Sequence, residues 1–154
     1  MSSGVTLFKD VFSGDTLFDS THPKSVVDCV AYEVRSAWAP VYSDAGVRTA
    51  IELVEAHKLR PLPLTSEGFC EYLKGYIPKL TAHLRNTRRA DRLELFQANV
   101  QQFARRVLSD FEQFSFFTGV SGDTDDGIAM CFFKADQTTP HFYFMRDGVV
   151  SSAR

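Results

Sequence analysis

The sequence predicts an α+β fold in which short antiparallel strands from both ends of the chain share a sheet and a helical hairpin fills the middle. Three observations carry this. Short strand-like runs bounded by turn residues occupy both ends, with a patchy period-two face over 26–35, the period becomes helical between residues 65 and 114, and phenylalanine is abundant, 14 in 154 residues. With 44% hydrophobic and 23% charged residues, the chain suits a single domain over 1–154 rather than a two-domain enzyme.

The elements follow in order. Residues 5–8 read as a strand, Gly14-Asp15 as a turn, and residues 26–35 as half-buried sheet with Val26, Val30, Tyr32 and Val34 on one face. Residues 36–46, with Pro40, Ser43, Asp44 and Gly46, read as a connecting loop before a strand over 47–54. Arg60-Pro61-Leu62-Pro63 forbids a helix or a central strand, because proline donates no amide bond and restricts its predecessor. Beyond it, Phe69, Leu73, Tyr76, Ile77, Leu80 and Leu84 form one helical stripe, with Thr65 or Ser66 as N-cap. Leu93, Phe96, Val100, Phe103, Val107, Phe111 and Phe114 form a second, so the hairpin spans about 66–114. Pro78, inside the first helix, predicts a kink, since a straight helix there costs about 3 kcal/mol. Strands return at 115–118, 128–133, 141–146 and 149–150, with an acidic turn over 120–127 and a turn at Asp147-Gly148.

Composition and motifs exclude several classes. Cys29, Cys70 and Cys131 are odd in number and far apart, which argues for a reducing compartment without a disulfide framework or structural zinc. The first ten residues lack a signal-peptide pattern, and no apolar run is long enough to span a bilayer, so the expected location is cytoplasmic with no membrane role. His22, His57, His83 and His141 are scattered, and neither a nucleophile elbow nor a phosphate-binding loop is present, so no enzymatic activity is expected.

Charge placement is more informative. Residues 74–106 hold eight bases, Lys74, Lys79, Arg85, Arg88, Arg89, Arg92, Arg105 and Arg106, against Asp91 and Glu94, a net of +6. The rest of the chain carries nine basic and seventeen acidic residues, a net of -8. This dipole points to an acidic protein surface as partner; nucleic acid is not expected, because the aromatic residues lie on the apolar stripes and not among the arginines. The competing reading is a solvated helix face. Asp123, Asp125 and Asp126 could form a weak Ca²⁺ site, although the EF-hand order fails and such glycine-rich turns are more commonly just solvated. No other cofactor is expected.

Six segments taken in order carry a resemblance: 7–18 (LFKDVFSGDTLF), 26–34 (VVDCVAYEV), 47–54, 65–72, 111–119 (FEQFSFFTG) with Asp126-Gly127-Ile128, and 139–148 (TPHFYFMRDG). Together they resemble the translationally controlled tumour protein (TCTP) family over nearly the whole chain. The resemblance implies a mainly antiparallel β tent of the TCTP and Mss-like type with one projecting antiparallel helical hairpin. It also implies a non-enzymatic cytoplasmic protein of growth control, with Ca²⁺ binding, tubulin or microtubule contact through the basic hairpin, and exchange-factor or chaperone action on a small Rheb- or Rab-like GTPase. Thr16 and Val120 occupy GTPase-facing positions where family members carry acidic residues. The connection 36–46 stands in for the family's long acidic mobile loop, and the chain closes on Ala153-Arg154 without a terminal cysteine, so a monomer is expected.

Overall fold

The first and last strands of the chain pair with each other. In the computed structural model, which describes residues 4–153, β1 (Thr6–Asp10) lies antiparallel to β11 (Val149–Ala153), with Thr6 opposite Ala153 and Asp10 opposite Val149. The start of the chain over 1–3 and Arg154, on which the terminal-cysteine reading bears, lie outside the described residues. With β2 (Thr16–Asp19) this pair makes a three-stranded sheet, β11-β1-β2.

A larger antiparallel sheet forms the centre, in the order β3-β4-β10-β9-β8-β7. Its strands are β3 (Lys24–Val27), β4 (Ala31–Arg35), β7 (Arg60–Pro61), β8 (Ser115–Thr118), β9 (Ala129–Phe133) and β10 (Pro140–Met145). The run 26–35, expected as one strand, folds back on itself: Val27 stands opposite Ala31, residues 28–30 connect them, the Val30 amide donates to the Val27 carbonyl at 3.2 Å, and Asp28 and Cys29 take left-handed φ of 51° and 63°. The proline-rich segment contributes only the two-residue edge strand β7, where a missing amide costs no ladder bond.

Both faces of the central sheet are covered, which explains why β9 and β10 read as unbroken apolar runs. Met130, Phe132, Tyr143 and Met145 face the helices, while Ala129, Cys131, Phe142 and Phe144 face Leu17, Phe18, Leu53 and Leu59 on the other side. Burial of each such Phe or Met side chain stabilises the fold by about 1.5–3 kcal/mol. Cys131 is buried and its thiol is pushed up to about 12, so it is a packing group and not a nucleophile.

The helical hairpin consists of α2 (Ser66–Asn86) and α3 (Ala90–Ser109), introduced after α1 (Glu52–His57). Thr65 caps α2, its hydroxyl accepting from the Gly68 amide at 2.9 Å. Phe69, Leu73, Tyr76, Leu80 and Leu84 of α2 and Phe96, Val100, Phe103 and Val107 of α3 are buried against the sheet, as the stripes predict. The helix α2 continues through Pro78 from Ser66 to Asn86. The second helix stops at Ser109, and Phe111 and Phe114 lie beyond it in a 3-10 turn and its exit, packed on Phe69, Phe116 and Phe132.

Two further expectations are corrected. Residues 36–46 are not a connecting loop: β5 (Trp38–Ser43) pairs with β6 (Gly46–Ile51) in a two-stranded sheet of its own. Proline, serine and aspartate obscured it, because the strand is exposed and leaves no apolar alternation to read. The strand expected over 47–54 ends at Ile51, where α1 begins, an amphipathic turn that buries Leu53. Among the described residues no helix is long and apolar enough to cross a membrane.

Candidate partner-binding surface

The eight bases of the helical hairpin divide into two sets. Arg92 is 7% exposed: its Nε donates to Asp147 Oδ1 at 2.8 Å, and its Nη2 donates to Asp147 Oδ2 at 2.9 Å and to the Cys29 carbonyl at 2.8 Å. It is a buried strut, so its assignment to a partner surface is withdrawn. Arg106 clasps Asp28 at 2.7 and 3.1 Å and holds that carboxyl below its ordinary range. Lys79 pairs with the buried Asp126 and lies 4.4 Å over the Phe12 ring; the Asp126 bond holds its ammonium above its ordinary value. Lys74 pairs with Glu71 at 3.3 Å on the surface.

The other set is uncompensated. Arg85, Arg88, Arg89 and Arg105 are exposed, and among the described residues none of them stands in an ion pair. Three of these four lie within five residues at the hairpin tip, where Arg88 takes a left-handed φ of 59° to turn the chain from α2 into α3. The sequence named all eight bases by charge; it carried no sign of Asp28, Asp126 and Asp147, acids distant in sequence that pair with three of the eight.

In the acidic turn the Asp123 and Asp126 carboxyls meet each other. Asp126 is committed to Lys79, its carbonyl accepts from the Tyr72 hydroxyl at 2.5 Å, and Asp123 accepts the Asp125 amide at 3.0 Å in a local turn. Among the described residues no group of three or more His, Cys, Asp or Glu is placed to hold a metal ion. Asp126, expected with Asp123 and Asp125 as a weak Ca²⁺ ligand, is thus held by a lysine.

The chain neighbours of Thr16 and Val120 are bonded to each other. Asp15, next to Thr16, accepts from the Ser121 amide at 3.1 Å and hydroxyl at 2.5 Å, which ties the β1–β2 turn to the turn after β8. The Arg60 guanidinium lies over that turn, with Nη1 2.6 Å from where a Cβ on Gly122 would stand. This end therefore carries one cation, Arg60, and one carboxylate, Asp15, the latter bonded to Ser121.

The histidines are structural. His57 Nε2 meets Asp19 Oδ2 at 3.0 Å, and His22, 6% exposed, lies between Asp19 and Glu52 with its Nε2 unpartnered. His141 Nδ1 stands 3.1 Å from Glu33 Oε2, close enough for ion pairing but poorly aligned for a hydrogen bond. Burial holds both His22 and His141 below the ordinary imidazole value, against the pull of neighbouring carboxylates. The unfolded chain therefore takes up these protons first, and their contribution to stability is complete above about pH 6.5 and is lost as pH falls through the folded-state values. Burial alone would raise Asp19, but Thr21 and His57 more than offset it, so its contribution is lost only below 3.8. Thermal unfolding is expected at a lower midpoint at about pH 5 than at about pH 7, and a His22→Gln, His141→Gln double variant should flatten that slope.

The profile of the family described as translationally controlled tumour protein matches residues 40–150. The chain belongs to that family. A TCTP homolog of Theileria annulata is 33% identical over 107 residues, 70% of this chain and 61% of that protein. The Schizosaccharomyces pombe homolog is 27% identical over 164 residues, covering 94% of this chain and 97% of that one. The solved S. pombe TCTP structure superposes with a TM-score of 0.88 at 26% identity, covering 97% and 99% of the two chains. The Caenorhabditis elegans TCTP structure, at 19% identity and a TM-score of 0.71, shares the fold. A mainly antiparallel β architecture with one helical hairpin is thus the TCTP fold, as the sequence resemblance implies.

Proposed function

We propose that this TCTP-type chain is a non-enzymatic cytoplasmic protein-binding domain that docks the tip of its helical hairpin on an acidic protein surface, with tubulin as the partner class. The observation that carries this reading is the cluster Arg85, Arg88 and Arg89, exposed and in no ion pair among the described residues. Such a cluster attracts an acidic surface with long range and steep salt dependence, whereas the compensated Lys79, Arg92 and Arg106 contribute little field. Cosedimentation with microtubules tests it. Binding is expected at low ionic strength and should weaken as salt rises. The variant Arg85→Glu, Arg88→Asn, Arg89→Glu, in which asparagine suits the left-handed position, should bind at least about tenfold more weakly. Absence of binding at low salt would remove the tubulin reading.

A second reading is regulation of a small Rheb- or Rab-like GTPase, and what supports it is the Asp15–Ser121 contact between the chain neighbours of Thr16 and Val120. Against it, Thr16 and Val120 are both uncharged. Release of a fluorescent guanine nucleotide from such a GTPase is expected to proceed at its intrinsic rate in the presence of this chain. Acceleration in proportion to added protein would make exchange the function instead.

A further inference from the structure

The hairpin β5–β6 forms a sheet of only two strands, an arrangement that is marginal in water unless it is extended. Its root is held: the Trp38 indole stacks on Phe133 at 6.1 Å and donates to the Thr138 carbonyl at 2.6 Å. Its tip is bare. Tyr42 and Val47 are 75% and 64% exposed, the two most exposed large apolar side chains among the described residues.

The direction of the backbone groups follows from the register. The Glu52 amide donates to the Ala37 carbonyl at 2.8 Å, marking 37 and 52 as a hydrogen-bonded pair. Ladder bonds alternate in an antiparallel pair, so 39/50, 41/48 and 43/46 are bonded pairs as well, while 38/51, 40/49 and 42/47 turn their N–H and C=O outward. On β5 one outward amide position is Pro40, which has no N–H and closes that edge. On β6 the outward groups belong to Val47, Thr49 and Ile51, which meet no other strand. That edge is open.

We propose that β6 pairs antiparallel with β6 of a second copy of this chain about a two-fold axis at Thr49, making a four-stranded sheet β5-β6-β6-β5. The strand is self-complementary in this register. Val47 stands opposite the second copy's Ile51, and Arg48, the one charge in β6, stands opposite an alanine. Arg48 is already paired with Glu55 of its own chain at 2.6 Å. A register centred on Arg48 would instead oppose two guanidinium groups. Tyr42 shares the face of Val47, so the apolar strip becomes continuous across the new sheet. Pro40 then lies on both outer edges, and the assembly closes at two copies instead of growing into a fibre. The monomer expected from the sequence followed from a missing terminal cysteine, which has no bearing on strand pairing.

Sedimentation velocity on the full chain between about 1 μM and about 1 mM tests the proposal, the interface being of the small, weak class. A concentration-dependent shift to twice the mass is expected. Thr49→Pro removes an outward amide at the two-fold axis without touching a β5–β6 bond, and it should weaken association at least about tenfold, as should Val47→Lys, with the circular dichroism of both variants unchanged. In a Cys29→Ser background, Thr49→Cys should yield a covalent dimer under mild oxidation, because the two positions face each other across the axis. A single-copy mass over the whole range, or a dimer that neither Thr49→Pro nor Val47→Lys weakens, would overturn the assignment.

Discussion

Replacing Arg92 by leucine is expected to lower the stability of the chain by about 3–5 kcal/mol, the usual cost of removing one member of a buried ion pair. Asp147 is 5% exposed and loses both of its guanidinium bonds, and the Cys29 carbonyl loses a third. The side chain also joins three elements that share no ladder bond through it: α3, the turn between β3 and β4, and the 3-10 turn that leads into β11. Urea unfolding followed by circular dichroism measures the loss. A leucine at position 92 with Asp147→Leu should recover part of it, because an apolar pair leaves no uncompensated charge behind. An Arg92→Leu chain as stable as the parent would show that the pair is solvated and that the hairpin is not tied down there.

Gly148→Ala is the second large effect. A Cβ at this position would collide with the hydroxyl oxygen of Tyr76, while the ring carbon Cζ sits 3.5 Å away, an ordinary contact. Tyr76 is 1% exposed and its hydroxyl has no hydrogen-bond partner, so it has nowhere to move within a packed core. Overpacking of this kind costs about 1–3 kcal/mol. Because one oxygen atom causes the clash, Tyr76→Phe should relieve most of it, and alone it should be neutral or slightly stabilising, since it removes a buried polar atom that makes no bond. Thermal unfolding of the two single variants and the double variant closes the cycle; equal losses in Gly148→Ala with and without the hydroxyl would place the strain in the backbone instead.

These residues also show which parts of the molecule could be read in advance. The two helical stripes were legible because one face of each helix is buried, and burial imprints a period on the sequence. The turn at 28–29 was not, since Asp28-Cys29 lacks the glycine or asparagine that marks a left-handed pair, and its geometry is set by Arg92 and Arg106 reaching it from α3. The strand β5 was missed because both of its faces are largely exposed. For the surface, the sign and location of the charge were readable, while its partition into bonded and free arginines was not, because pairs such as Arg92 with Asp147 join residues 55 apart in sequence.

The seam between β1 and β11 has a consequence for synthesis on the ribosome. The edge of Thr6–Asp10 that faces β11 has its partner about 140 residues later, so it must wait unsatisfied until Val149–Ala153 has left the exit tunnel. The hairpin α2–α3, whose contacts are local, can form long before then, whereas closure of the three-stranded sheet must wait for β11. A nascent chain stalled short of residue 149 would carry a finished pair of helices and an unsealed sheet, a natural target for a chaperone.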